Sequence, residues 1–222
     1  MLRPRKKLSR REIKEDPLVT TYVRVQKFIQ RHSKQLNIVG LIVAAAIVIV
    51  VFMGRSKRSA ETAAAGRLGI AEMYYWAQDY TRAIGELSNI VDTYSGTKSA
   101  GTAAFLTANA YYAQDDYANA EKYFRLYLDD YGHNKMFTTS SLAGIAACRE
   151  SQGAFLEAAQ LYERAGTKDK NSSQSPFYLK DAGRCYVLAG EIDKGKAAYK
   201  TIIDNYEDSN IKQEVEFLYE SL

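Results

Sequence analysis

Four small residues, Ala83, Ala120, Ala158 and Gly195, recur along this chain at intervals of 37, 38 and 37 residues. Each sits in the same surroundings. Three residues before them stand Tyr80, Tyr117, Phe155 and Ile192, and four residues after them Leu87, Phe124, Tyr162 and Tyr199. Twelve residues before come Ala71, Ala108, Ala146 and Gly183, small again. Self-similarity at this period predicts stacked helical hairpins, each too small to bury its own apolar face. In an antiparallel helix pair, small residues belong where the backbones come closest, and bulky ones fill the space beside them. The Ala71 series therefore falls on a first helix (A) and the Ala83 series on a second (B), with the bulky residue four positions on sharing its face. Gln78-Asp79, Asp115-Asp116, Gln152-Gly153 and Gly190-Glu191 are the polar turns between them.

Two further series follow the same register. Tyr74, Tyr111 and Tyr186 precede the Ala83 series by nine residues, with Arg149 in the third copy. Tyr94, Tyr131 and Tyr206 follow it by eleven, where helix B should end, and Asp169 takes that place in the third copy. This alternation of small and aromatic residues resembles the tetratricopeptide repeat over about residues 62 to 207. That repeat is usually about 34 residues long, so the surplus lies between hairpins. The rival fold is an ordinary bundle with alanine-rich contacts. Ile211, Val215 and Leu218 form one stripe of a last, otherwise charged segment, as suits a capping helix. The expected fold class is all-α: a single transmembrane helix, then a four-repeat solenoid with a C-terminal cap.

The transmembrane element is Leu36–Gly54, nineteen residues without a charge. At 1.5 Å per residue it reaches about 29 Å, close to the hydrocarbon thickness of a bilayer. Residues 1–35 hold 11 Lys/Arg against 3 Asp/Glu, whereas residues 59–222 hold 16 against 23. The positive-inside rule then places residues 1–35 in the cytoplasm and the repeats across the membrane, with Arg55, Lys57 and Arg58 opposing that assignment. Cleavage near Ala63-Ala64-Ala65 is disfavoured by the long basic region and the charges before that site. Ser9-Arg10-Arg11-Glu12-Ile13-Lys14 looks like part of a twin-arginine signal but lies more than twenty residues from the apolar run. After Pro17, the 4-3-4 spacing of Leu18, Tyr22, Val25 and Ile29 predicts an amphipathic helix, with Arg24, Lys27, Arg31 and Lys34 around it. Such a helix either lies on anionic headgroups or serves as a solvated basic anchor. Residues 18–58 are thus the expected lipid contact. Nucleic acid is not expected as a partner, because no folded basic domain supports it. Three parts result: 1–35 basic segment, 36–54 span, 59–222 repeats. Ser59–Ala77 lacks proline, so the span is expected to run directly into the first repeat helix.

Little in the chain reads as chemistry. His32 and His133 have no metal-ligand set near them, and no phosphate loop, nucleophile elbow or dinucleotide fingerprint occurs. No catalytic residue, metal or cofactor is expected, and the chain does not read as an enzyme. Asp115-Asp116 and Asp129-Asp130 are expected to cap or flank helix ends. Cys148 and Cys185 occupy equivalent positions in adjacent repeats, on helices about 8–10 Å apart, too far for a disulfide, so both are expected as buried free thiols. The candidate site is the face of the A helices: Leu68, Glu72 and Tyr75; Phe105, Asn109 and Tyr112; Ala143, Ala147 and Glu150; Lys180, Arg184 and Val187. Two apolar-aromatic sets, then a small acidic and a cationic one, suit an extended peptide; the alternative is that they pack on neighbouring elements. Trp76, beside the first turn, is either part of that face or hairpin packing.

The order of basic segment, membrane helix and acidic repeat domain resembles the ancillary SecYEG translocon subunit family of bacterial inner membranes. That resemblance implies a single-pass inner-membrane protein with a periplasmic repeat domain. It further implies protein partners, namely translocon subunits, periplasmic chaperones or client peptides. Its rivals are a structural or scaffold subunit of another membrane complex and an organellar import receptor with cytosolic repeats.

Overall fold

The computed structural model describes residues 17–222, with side chains from residue 19 onward. Residues 9–14, the remaining charges of the first sixteen residues and the side chain of Leu18 lie outside the described residues. The chain divides after Ser56 into two units.

The first unit holds α1 (Pro17–Arg31) and the start of α2 (Ser33–Trp76). Pro17 suits the first turn of α1, where its missing N–H removes no helical bond. Tyr22, Val25 and Ile29 are exposed. At 100° per residue they share one side of α1, and Arg24, Lys27 and Arg31 lie on the other. The α2 helix is 44 residues long and contains a stretch long and apolar enough to cross a membrane. None of that stretch is buried within the protein. As expected from the proline-free sequence, α2 continues unbroken and supplies the first A helix of the second unit.

That unit is a run of hairpins: α2 with α3 (Tyr80–Thr93), α4 (Lys98–Ala113) with α5 (Tyr117–Asp130), α6 (Lys135–Ser151) with α7 (Phe155–Lys168), and α8 (Ser175–Leu188) with α9 (Ile192–Asn205). A last helix, α10 (Lys212–Glu220), packs on α9. The described residues are all-helical, in four hairpins with a terminal cap. Each B helix begins at the predicted Tyr80, Tyr117, Phe155 or Ile192, and Tyr94, Tyr131, Asp169 and Tyr206 stand at their C-caps.

The hairpin register follows from local chemistry. One residue in every turn takes a left-handed backbone: Gln78 (φ 60°), Asp115 (φ 59°), Gly153 (φ 78°) and Gly190 (φ 80°). Glycine does so without steric cost, whereas other residues lose about 1–2 kcal/mol. In the two hairpins lacking glycine there, Asp79 and Asp116 cap the B helix, accepting from Arg82 N and Asn119 N. Such caps contribute about 1 kcal/mol. The caps of the glycine hairpins, Ala154 and Glu191, make no side-chain cap bond.

Packing explains the small residues. Ala71, Ala83, Ala108, Ala120, Ala146 and Ala158 are all fully buried. In the last hairpin even a methyl group does not fit. A Cβ on Gly195 would lie 3.1 Å from Gly183 O, and one on Gly183 would lie 2.3 Å from the Tyr199 ring. The bulky partners Leu87, Phe124, Tyr162 and Tyr199 are buried beside them. Burying such a side chain contributes about 1.5–3 kcal/mol. Consecutive hairpins join by packing each B helix on the next A helix. Glu61 of α2 also receives Lys98 N (2.6 Å), Ser99 N (3.2 Å) and Ser99 Oγ (2.7 Å), so one repeat caps the A helix of the next. At the far end Ile211, Val215 and Leu218 seat α10 over Tyr199 and Ile202, the expected capping stripe.

Candidate functional site

Successive A helices present their residues in rows at the repeat spacing. The middle row is Glu72, Asn109, Ala147 and Arg184. An outer row is Tyr75, Tyr112, Glu150 and Val187, and the inner row is Leu68, Phe105, Ala143 and Lys180. The structure brings these sets onto successive helices but uses them differently.

In the first two repeats the face is aromatic. Leu68 is half-buried against the first core cluster. Tyr75 meets the Trp76 ring edge-on at 5.1 Å and the Tyr80 ring at 5.8 Å. Burial raises the Tyr75 phenol above its usual range. Glu72 is half-buried. Phe105 stacks on Phe137 of the next repeat at 4.7 Å and meets Phe124 and Tyr127 edge-on at 6.0 Å, so much of its ring is taken up between repeats. Asn109 Nδ2 donates to Phe105 O at 2.8 Å along its own helix. Tyr112 is 36% exposed and lies 5.5 Å from Tyr117. Trp76 is 74% exposed, so it does not fill the first hairpin.

In the last two repeats the face is polar and internally paired. The guanidinium of Arg184 forks onto both carboxylate oxygens of Glu150, with Nη2 to Oε2 at 2.9 Å, and reaches Asp181 Oδ1 at 3.4 Å. Tyr162 OH donates to Glu150 Oε2 at 3.3 Å. The Arg184 bond holds the Glu150 carboxyl below its usual range despite burial, and the same bond raises the Arg184 guanidinium. Burial pushes the Asp181 carboxyl up, against the pull of Arg184. Lys180 Nζ donates to both Glu214 oxygens at 3.1 Å, tying α8 to the capping helix. Ala143 is buried, and Ala147 and Val187 are half-buried. Opposite charges that read as two separate sets are thus partners of one another or of α10. Tyr162 enters this polar cluster from the bulky series of the B helices, whereas Asp181 and Glu214 belong to it without any repeat-register signal. Only the three-residue spacing of Asp181 and Arg184 hinted at one of them.

The remaining candidates resolve into structure. Arg149, the exception among the tyrosines, pairs with Glu121 at 2.8 Å and Glu157 at 3.6 Å. Asp116 is a helix cap, and Asp115 accepts from Tyr117 OH at 2.7 Å in the adjoining turn. Cys148 and Cys185 are buried free thiols, and burial pushes both up to about 12. His32 stands between α1 and α2, its Nδ1 2.9 Å from Gln35 Oε1, and His133 is exposed between α5 and α6. Among the described residues no group of three or more His, Cys, Asp or Glu is placed to hold a metal ion. The arrangement offers a surface for contact: an aromatic stretch with exposed Tyr112, leading to a charged cluster that is already neutralised.

A family model described as a tetratricopeptide repeat-like domain matches residues 26–222. No curated protein matches the chain significantly. Among solved structures it is similar to a kinesin light chain candidate of Podosopora anserina with nearly identical TPR-like repeats, at 15% identity and a TM-score of 0.51 over 63% of this chain and 72% of that one. A single-residue variant of that protein gives 14% identity and a TM-score of 0.52, over 65% and 75%. At such identities the likeness speaks for the fold alone.

Proposed function

We propose that this chain, which belongs to the tetratricopeptide repeat-like domain family, is a membrane-anchored module that binds other proteins. Residues 1–35 are its basic cytoplasmic segment, 36–54 its span and 59–222 its repeat domain on the far side. The observation that carries the reading is where the family match begins. It starts at residue 26, so it takes in the apolar run together with the repeats. Charge supports the orientation, since the basic excess precedes the span and the acidic excess follows it. The binding surface runs from Leu68, Glu72 and Tyr75 through Phe105, Asn109 and Tyr112 to Lys180 and Arg184, with Tyr112 as the open aromatic contact. The order of segments supports an accessory subunit of the secretory translocon in a bacterial inner membrane, receiving periplasmic chaperones or emerging polypeptides. An anchor in the bilayer raises the effective concentration of a weak site near such clients.

A photoreactive residue in place of Tyr112, crosslinked in living cells, tests this. Translocon subunits, chaperones or secretory chains should be recovered, and a single unrelated partner removes the translocon role. Protease added outside spheroplasts should degrade the repeats; their survival reverses the orientation. A second reading, a structural or scaffold subunit of another membrane complex, is favoured by one observation. Phe105, Lys180, Arg184 and Glu150 are already engaged within the chain, and copurification in mild detergent separates the two.

A further inference from the structure

Of the eight asparagines in the chain, only Asn171 is followed two positions later by a hydroxyl residue, in Asn171-Ser172-Ser173. That triplet, with no proline in the middle, is the acceptor pattern for N-linked glycosylation, a modification of surface loops outside the cytoplasm. Such a triplet also arises by chance, so its place in the fold decides. Five of the other asparagines are committed inside the protein. Asn89 serves Arg67 and Thr93, Asn119 reaches Asp116, and Asn134 caps α6 through Phe137 N. Asn109 and Asn205 donate to Phe105 O and Thr201 O along their own helices.

Asn171 is placed differently. It lies in the connection between α7 and α8, and both Asn171 and Ser173 are exposed. That connection, 169–174, is two residues longer than 94–97 and 131–134, which follow the first two hairpins. It is also the one where Asp169 replaces the tyrosine found at the other B-helix C-caps. Ser172 N donates to Asp169 O at 3.0 Å, and Ser175 N donates to Ser172 O at 3.1 Å. Gln174 N donates to Ser172 Oγ at 3.2 Å. The turn is thus held through the middle residue of the triplet, which leaves the two outer side chains over. Among the described residues no side-chain hydrogen bond or ion pair engages Asn171 or Ser173. These are the amide that would be modified and the hydroxyl that a transferase reads.

The group that such a site receives has room. Beside Asn171 lies an open hollow of about 660 Å³, formed by this connection and by residues 205–210 from the end of α9. Its walls combine Phe177 and Tyr206 with Lys170, Asp208 and Asn210. A sugar ring carries apolar C–H faces and a rim of hydroxyls, which aromatic and polar side chains together can accept. We propose that Asn171 is an N-glycosylation site. In the transfer, Nδ2 of Asn171 attacks the anomeric carbon of an oligosaccharide carried on a polyprenyl diphosphate. The C–N bond forms as the C–O bond to the diphosphate breaks. The polyprenyl diphosphate leaves, and the surplus Nδ2 proton passes to a base of the membrane-bound transferase. The inference rests on the orientation proposed above, which puts the repeats on the side away from the cytoplasm, and not on the peptide-contacting surface or its partner.

The test takes the full chain from its native membranes and reads the tryptic peptide ending at Lys180, in which Asn171 is the only asparagine. A sugar mass located on Asn171 by electron-transfer fragmentation is expected for the natural chain and for Ser173→Thr. It should be lost in Asn171→Gln and in Ser173→Ala, with helicity unchanged because both positions are exposed and make no internal bond. An unmodified Asn171, or sugar on a neighbouring serine that survives Asn171→Gln, overturns the proposal. Protease added outside spheroplasts reports the orientation in parallel. Repeats that are degraded while Asn171 stays bare defeat the modification alone, and repeats that survive defeat the orientation on which it rests.

Discussion

Gly183→Ala separates tertiary packing from helix propensity, because the two push in opposite directions. Gly183 lies inside α8, where alanine is preferred over glycine by about 1 kcal/mol. The same position carries Ala71, Ala108 and Ala146 in the other repeats, so a comparison of repeats alone recommends the substitution. The structure opposes it. The new Cβ would sit 2.3 Å from Tyr199 Cε1 and 2.7 Å from Cδ1. Relief needs a ring movement of about 1 Å, since ordinary contact begins near 3.4 Å. Tyr199 is 3% exposed and held with Leu179, Ile202, Ile211 and Val215 under the capping helix, so its ring has little room. Overpacking of this kind costs about 1–3 kcal/mol, which leaves a net loss of up to about 2 kcal/mol after the helix gain. Tyr199→Leu, the residue type of Leu87 in the first repeat, removes the clash. The pair should therefore show a favourable coupling of about 2 kcal/mol in a double-mutant cycle. Urea titration in mild detergent, followed by helical circular dichroism, reads this as a lower midpoint at unchanged slope for the single variant. A raised midpoint for Gly183→Ala, or strictly additive variants, would refute the packing argument.

Three other outcomes follow from the same geometry. Gly153→Ala forces a side chain into a left-handed turn and should lower stability by about 1 kcal/mol, whereas Gln78→Gly should be neutral or stabilising by up to about 1 kcal/mol, both read by urea midpoints. Glu150 has a folded-state pKa below its ordinary value of 4.5. Its contribution to stability is complete above that value and disappears as pH falls through the lower folded pKa. Arg184→Met should raise the Glu150 carboxyl pKa, measured by NMR titration, and a titration unmoved by the substitution would remove the pairing. Cys148 and Cys185, both fully buried with thiols pushed up to about 12, should resist alkylation at pH 8 in the folded protein and react in denaturant. Rapid native labelling, or a bridge between them found by mass spectrometry, counts against the repeat register.

Much of the architecture was legible because it rests on local, periodic requirements. The spacing of the Ala83 and Ala71 series, the turn residues Gln78, Asp115, Gly153 and Gly190, and the closing stripe of Ile211, Val215 and Leu218 each answer a need within one hairpin or between adjacent ones. Those needs are set by helix geometry and chain connectivity, so residue order alone states them. The apolar run within α2 was legible for the same reason, since length and lack of charge are properties of the chain. The candidate site was less so. Arg184 with Glu150, Lys180 with Glu214, and Phe105 with Phe137 join residues 32 to 34 positions apart. Which side chains on an exposed row pair with each other depends on the offset between neighbouring helices, and no periodicity encodes that. The exposure of Met73 on α2 is a matter of position in the stack. Met73 and Cys148 stand at the same point of the repeat, and one is exposed while the other is sealed because burial belongs to the neighbour and not to the residue. Sequence determined what each repeat is; the tertiary structure decided which of its surfaces remained available, because an interface exists only where a second helix arrives to cover it.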